Sequence, residues 1–250
     1  SEHWEILKRD VRFTLRAAAA RPAHTLTSMF TLAVALGASV VMFAVVDAVM
    51  LRPLPYLEPE RLVMVEEVSR GGEGSNVGYL TFVDLRQRAR SMESMAAITL
   101  SYATLTGDGQ DAERVSAMRA SSSYFHMIGV NPALGRAFTE AEDRPGAARR
   151  VAILADSLWR RRFNADPSIL GKPVTLNGNP FVIVGVMPAA FEDLVGQRMY
   201  EGALMWVPLG YDPAASFACR TCRHLRVMAR LAPGVSAVAA QQEVDGILRS

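Results

Sequence analysis

Cys219 and Cys222 are the only cysteines in a chain of 250 residues, standing in the string Cys-Arg-Thr-Cys with His224 close behind. Thiols at this spacing have several chemistries open to them. In an oxidising exterior they close a local disulfide. They also occur as free, incidental thiols. With His224 they supply part of a zinc site, which still wants further ligands. A thioredoxin-like pair needs a helix N-terminus to lower one thiol pKa, whereas residues 224–231 read as a strand. A local structural disulfide leads these expectations; free thiols and zinc stay open beside it.

Other catalytic patterns are missing. A phosphate-cradling P-loop needs Gly-x-x-x-x-Gly-Lys-Ser/Thr, yet Gly171-Lys172 is followed by Pro173. Gly107-x-Gly109-x-x-Ala112 fits a loose dinucleotide pattern, but residues 113–119 read as a strand, so a hairpin turn is expected there. The histidines His3, His24, His126 and His224 form no His-Glu-x-x-His arrangement, and no Gly-x-Ser-x-Gly elbow occurs. Glu140, Glu142 and Asp143 read as a solvated helix start or turn. The expectation is a protein that is not itself an enzyme, with no catalytic residue, bound cofactor or metal ligand.

The elements around these residues follow from where the apolar side chains fall. Half the chain is hydrophobic and 21% is charged, which excludes a disordered polymer. Lys plus Arg number 27 and Asp plus Glu 25, so the net charge of +2 gives no global footprint for nucleic acid. Residues 25–46 contain no charge at all. At ~1.5 Å per residue, a helix of about 22 residues crosses a ~30 Å hydrocarbon core. The run is longer than a signal-peptide core and lacks a small-x-small cleavage site. Arg52, Pro53 and Pro55 stop a helix near Leu51. Lys8, Arg9, Arg12, Arg16 and Arg21 precede the run, which places residues 1–24 in the cytoplasm and the rest outside. Trp4, Leu7, Val11, Leu15 and Ala18 give residues 1–24 an amphipathic helical stripe for membrane lipid or a protein partner. Inside the span, Ala33 and Gly37 are four apart, a spacing that lets helices approach closely in lipid.

Residues 52–250 read as a mixed extracytoplasmic domain, α+β with two subdomains. Strands are expected at 62–68, 96–105, 113–119, 151–154, 204–209 and 225–231, and helices at 79–90, 156–163 and 236–248. Residues 71–75 read as a flexible glycine loop. Ser121 is expected to cap a short helix ended by Gly129, and Asp156 to cap the helix it precedes. Val244, Ile247 and Leu248 share one face of the last helix. Asn177-Gly178 between two apolar runs predicts a tight hairpin.

Several strings in order resemble one family. Thr31-Leu32-Ala33-Val34-Ala35-Leu36-Gly37, Leu51-Arg52-Pro53-Leu54-Pro55-Tyr56, Gly129-Val130-Asn131-Pro132-Ala133-Leu134-Gly135-Arg136 and Leu158-Trp159-Arg160-Arg161-Arg162-Phe163 are similar to segments of MacB/FtsX-type ABC transporter permeases. So are Leu176-Asn177-Gly178 and residues 182–188 with Phe191. The strings are closest to the large permeases without a fused ATPase. The resemblance implies an inner-membrane permease component of an efflux or mechanotransmission system. Its partners would be a cytoplasmic ABC ATPase subunit, a second permease copy in a homo- or hetero-dimer, and membrane lipid. Asp47 stands where an asparagine is expected in close relatives. The family continues into three further membrane helices, and residues 52–250 hold no second apolar run, so part of a longer permease is expected. The alternative is a single-span interaction module without transport. A membrane-anchored thiol oxidoreductase using Cys219 and Cys222 is a more remote reading.

Overall fold

Residues Pro22–Val46 form one helix, α1, in the computed structural model, opening on a proline whose missing N–H costs nothing at a first turn. The structure describes residues 9, 13, 20–47, 56–68, 74–107, 109–146, 150–191 and 202–249. The amphipathic stripe expected over residues 1–24 falls largely outside them, as do the prolines at 53 and 55. Within α1 the side chains of residues 26–44 are all exposed. Its hydroxyls are satisfied from within: Thr27 donates to the Ala23 carbonyl, Thr31 to Thr27 and Ser39 to Ala35, each at 2.9 Å. An uncharged, mostly apolar helix whose hydroxyls bond back to its own carbonyls is suited to lipid.

Pro55–Ser250 form a second compact unit. Its strands are β1 (Leu62–Val65), β2 (Glu67–Val68), β3 (Gly74–Ser75), β4 (Met92–Thr106), β5 (Glu113–Ala120), β6 (Leu134–Gly135), β7 (Val151–Leu154), β8 (Pro173–Leu176), β9 (Asn179–Val186), β10 (Met205–Pro208) and β11 (Arg226–Leu231). Its helices are α2 (Tyr79–Arg88), α3 (Tyr124–Ile128), α4 (Asp156–Phe163) and α5 (Ala237–Arg249). One sheet of nine strands runs β1-β11-β4-β5-β10-β7-β9-β6, with β8 pairing both β4 and β9. Among the described strands only β10 with β5 and β7 with β9 pair in parallel. The fold is therefore α+β, built mainly from antiparallel ladders.

Alternation along β4 and β5 sorts the core by face. Ile98, Met118 and Ala120 join Trp206 and Phe125 in a cluster covered by α3, with the Phe125 and Trp206 rings 5.8 Å apart, edge to face. On the opposite face lie two clusters. Ala97, Val227 and Phe82 pack with α2 and α5, while Ala103, Ala117 and Leu154 pack with Leu158 of α4. Pro55–Ser250 is one compact unit, so in place of the two subdomains expected from the sequence there are two covers on one face of a continuous sheet.

Several local expectations are revised. Gly74 and Ser75 are a strand, not part of a free loop; they pair with Glu67 and Val68. Ser121 does not cap α3, which starts at Tyr124; its buried hydroxyl accepts the Ala97 N–H at 3.0 Å. Asp156 is the first residue of α4, and its carboxylate takes Arg160 one turn on at 2.7 Å instead of capping the backbone. Leu248 stays exposed while Val244 and Ile247 pack inward. The hairpin is as read, with Asn177 at φ 50° and Gly178 at φ 76°, the left-handed pair such a two-residue turn requires.

Glu142 and Asp143 lie in a turn, and neither is merely solvated. Glu142 accepts both Arg136 guanidinium nitrogens, at 2.8 and 2.7 Å, and the Thr139 N–H at 2.9 Å. The Arg136 hydrogen bonds hold its carboxyl down at about 2. Asp143 accepts the Ser122 and Gly210 N–H groups at 2.9 and 3.0 Å, and burial pushes its pKa up. A depressed carboxyl stabilises the fold above its unfolded value, and that contribution fades as pH falls through the folded one. Replacing Glu142→Gln should flatten the stability profile between the ordinary value of 4.5 and about 2, leaving Asp143's opposite trend. Near-ultraviolet circular dichroism melts of both proteins across that window provide the check.

Candidate functional site

The first described residues of the second unit are fixed to its sheet by two arginines. Tyr56 is buried, and the Leu57 N–H donates to the Ile128 carbonyl at 3.1 Å. Glu58 turns the chain at φ 41°, and Pro59–Arg61 form a single 3-10 turn leading into β1. Arg230 lies in β11 with only 3% of its surface exposed. Its guanidinium donates to the carbonyls of Leu57 at 2.5 Å, Met127 at 2.6 Å and Glu58 at 3.3 Å, and meets the Glu58 carboxylate at 3.3 Å. Arg61 reaches back to the Leu231 carbonyl at 3.0 and 2.6 Å and pairs with Glu58 and Glu93. Only a planar fork of five donors can serve so many carbonyls at once. Sequence reasoning missed this anchor. Its one visible signal is a charged residue inside the otherwise apolar run Val227-Met228-Ala229-Arg230-Leu231.

A second constellation surrounds the cysteines. The chain between β10 and β11 forms a strap, within which Cys219 and Cys222 are bonded with their Cα atoms 5.2 Å apart. The strap's arginines grip neighbouring elements: Arg220 pairs with Asp84 of α2 at 2.7 Å and Arg223 with Glu67 of β2 at 2.6 Å. Glu67 in turn accepts the Gly78 N–H at 2.9 Å. Gly78 must be glycine, because a Cβ there would run into the Arg220 carbonyl. His224 faces the Cys222 carbonyl at 2.6 Å and the Tyr211 hydroxyl at 3.1 Å, with its ring stacked on Tyr211. Both imidazole nitrogens therefore face protein oxygens. A strand, β11, follows the cysteines, so the helix N-terminus that a redox pair needs does not follow them. Burial raises the pKa of both Tyr79 and Tyr211, the latter in the strap itself.

The remaining sequence candidates are dispersed. Ala33 and Gly37 are exposed on α1, and a Cβ added at Gly37 would meet nothing beyond the helix's own backbone. His24 lies in α1 and His126 in α3; His3 is outside the described residues. Gly107 and Gly109 both have positive φ in the β4–β5 connection, a turn and not a phosphate loop. Lys172 pairs with Asp166 at 3.2 Å. Among the described residues no cluster of three metal-ligating side chains occurs.

One exposed apolar helix, long enough to cross a membrane, ahead of a domain that matches a periplasmic domain family marks a membrane-anchored protein with an extracytoplasmic domain. The sequence matches the family of the MacB-like periplasmic core domain over residues 25–247, and the chain belongs to that family. Among curated proteins no sequence match is found. Solved structures share the fold. A domain of a putative permease protein from Porphyromonas gingivalis is 18% identical, superposes with a TM-score of 0.59, and the match covers 78% of this chain and 85% of that one. The periplasmic region of MacB from Actinobacillus actinomycetemcomitans is also 18% identical, with a TM-score of 0.55 and coverage of 75% and 82%. The extracellular domain of the noncanonic ABC-type transporter YknZ from Gram-positive bacteria is 16% identical, with a TM-score of 0.51 and coverage of 73% and 88%.

Replacing Arg230→Met should destabilise the domain by about 2–4 kcal/mol, because three carbonyls lose a buried donor. Hydrogen exchange at the Leu57 amide should accelerate first; the exposed control Arg114→Met should leave both readings nearly unchanged. For the cysteines, the double change Cys219→Ser, Cys222→Ser should cost up to about 2 kcal/mol, the chain-entropy limit for so short a loop. Thiol titration of the unfolded, unreduced protein should find no free sulfhydryl.

Proposed function

We propose that this chain is the permease component, or part of it, of an ABC-type efflux or mechanotransmission system. Helix α1 spans the inner membrane, residues 1–24 lie in the cytoplasm, and residues 52–250 lie outside it. A cytoplasmic ATPase subunit supplies nucleotide hydrolysis, and Ala33 and Gly37 form the face on which α1 packs against a second permease helix. The Cys219–Cys222 disulfide belongs to this oxidising exterior. One observation carries the reading. The domain's first described residues, Tyr56 to Arg61, are tied to the central sheet by Arg230 and by Arg61 itself. Pulling on that segment would load a strand ladder, not a loose tether, as coupling by movement requires.

Protease added to the outside of intact spheroplasts should digest the domain and leave α1 in the membrane. Crosslinking in membranes should recover a nucleotide-binding subunit, and Gly37→Leu should reduce crosslinks between permease copies. Recovery of the chain in the soluble cytosol would refute the topology. Correct topology without any ATPase crosslink would refute the coupling role and leave a single-span interaction module.

A further inference from the structure

A cavity of about 500 Å³ opens on the sheet face that carries the two helical covers. Its position follows from register. Ala97 belongs to the cluster under α2 and α5, and Ala103 and Ala117 to the cluster under α4. Between them, Thr99 pairs with Arg119 and Ser101 with Ala117, and Thr99, Ser101 and Arg119 are only half-buried. The tip of the β8–β9 hairpin and the turn carrying Glu142 wall the opening.

The charges around the cavity are unbalanced. Arg119 donates to the Leu209 carbonyl at 3.0 Å and lies over the Tyr211 ring at 5.8 Å. The Arg150 guanidinium donates to the Asn179 side-chain oxygen. Neither has a carboxylate partner among the described residues. The one acid in the lining, Glu142, is committed to Arg136. Beside these cations the lining is apolar, with Val207 next to Arg119 in the β10–β5 ladder and Ala117 and Phe181 near by. A volume within the usual range for small-ligand sites, two forked cations without counter-ions and an apolar wall specify one kind of occupant.

The geometry points to a binding site for an amphipathic organic anion. A phosphate or carboxylate head would sit between Arg119 and Arg150, and an apolar body would lie against Phe181 and Val207. The site belongs to the sheet domain alone and does not depend on the transport reading.

Octyl phosphate tests it on the full chain in nanodiscs of zwitterionic lipid, read by hydrogen exchange at residues 177–182. Octyl phosphate should protect these amides, and octanol or inorganic phosphate should need at least about tenfold higher concentration, since each supplies half of the recognition. Arg150→Gln, an exposed position, should weaken octyl phosphate roughly tenfold. Ser101→Phe, which fills the floor without changing charge, should abolish protection. Exchange at β7 serves as the folding control for each variant. A further arm replaces octyl phosphate with phosphatidylglycerol in the nanodisc. Protection there identifies the head as that of a membrane lipid, and protection by octyl phosphate only identifies a soluble anion. No protection at millimolar octyl phosphate, or protection unchanged in both variants, overturns the proposal.

Discussion

Burying a guanidinium costs several kcal/mol unless its donors are met, and the domain is organised around two places where they are. Arg230 is 3% exposed and Arg162 4%. Each ties a backbone segment through its carbonyls, Arg230 to the sheet and Arg162 to α4. Arg230 holds Leu57, Glu58 and Met127, while Arg162 holds the Asp111 carbonyl at 2.8 Å and pairs with Glu113 at 2.8 Å. Removing either partner would strand charge or carbonyl in the interior, so these arginines specify where the chain must run more than they add to net stability. One fixes the first turn before β1, and the other fixes the connection between β4 and β5.

That division also explains the shape of the core. A single sheet has two faces, and α3 with the Phe125–Trp206 cluster closes one of them. The other face is longer than any one helix of this chain can cover. Helices α2 and α5 take the end near β1, and α4 with the β8–β9 hairpin takes the far end. Where the covers part, β4 and β5 change composition. Ala97 and Ala103 are buried, but Thr99, Ser101 and Arg119 between them are only half-buried. Arg119 then finds its support in an aromatic ring and one carbonyl. The strap closed by Cys219 and Cys222 sets that ring, because His224 stacks on Tyr211 and both flanking arginines are pinned to neighbouring elements.

What the sequence made legible was local. The uncharged run became α1, Asn177-Gly178 became a hairpin, and Gly129 ended α3 at φ 75° because those outcomes depend on a few adjacent residues. Errors arose where a short-range rule competed with a distant partner. Ser121 had the right type and position for a cap, but the Ala97 N–H across the sheet took its hydroxyl. Gly74 and Ser75 read as loop because nothing nearby announces that Glu67 and Val68 will pair with them. The site was less legible than the fold for the same reason. Arg230 lies 173 residues from Leu57 in sequence, and only the strand order β1-β11-β4 brings them together.

A mechanical role places a requirement on this arrangement that a binding role does not. A displacement delivered at Tyr56 is useful only if it moves the sheet before it unravels the attachment. β1 is an edge strand of four residues, in register with β11 from Leu62 opposite Arg230 to Val65 opposite Val227. So short an edge would fray easily if its ladder were the sole connection. The guanidinium of Arg230 changes the order of events. It joins the segment ahead of β1 to a strand inside the sheet and to the C-terminal turn of α3, so the load bypasses the edge ladder. Arg61 repeats the bypass through the Leu231 carbonyl one residue further along β11. Displacement would thus reach β11 and α3 together, and through β11 it would reach β4, the longest strand and the floor shared by both covers.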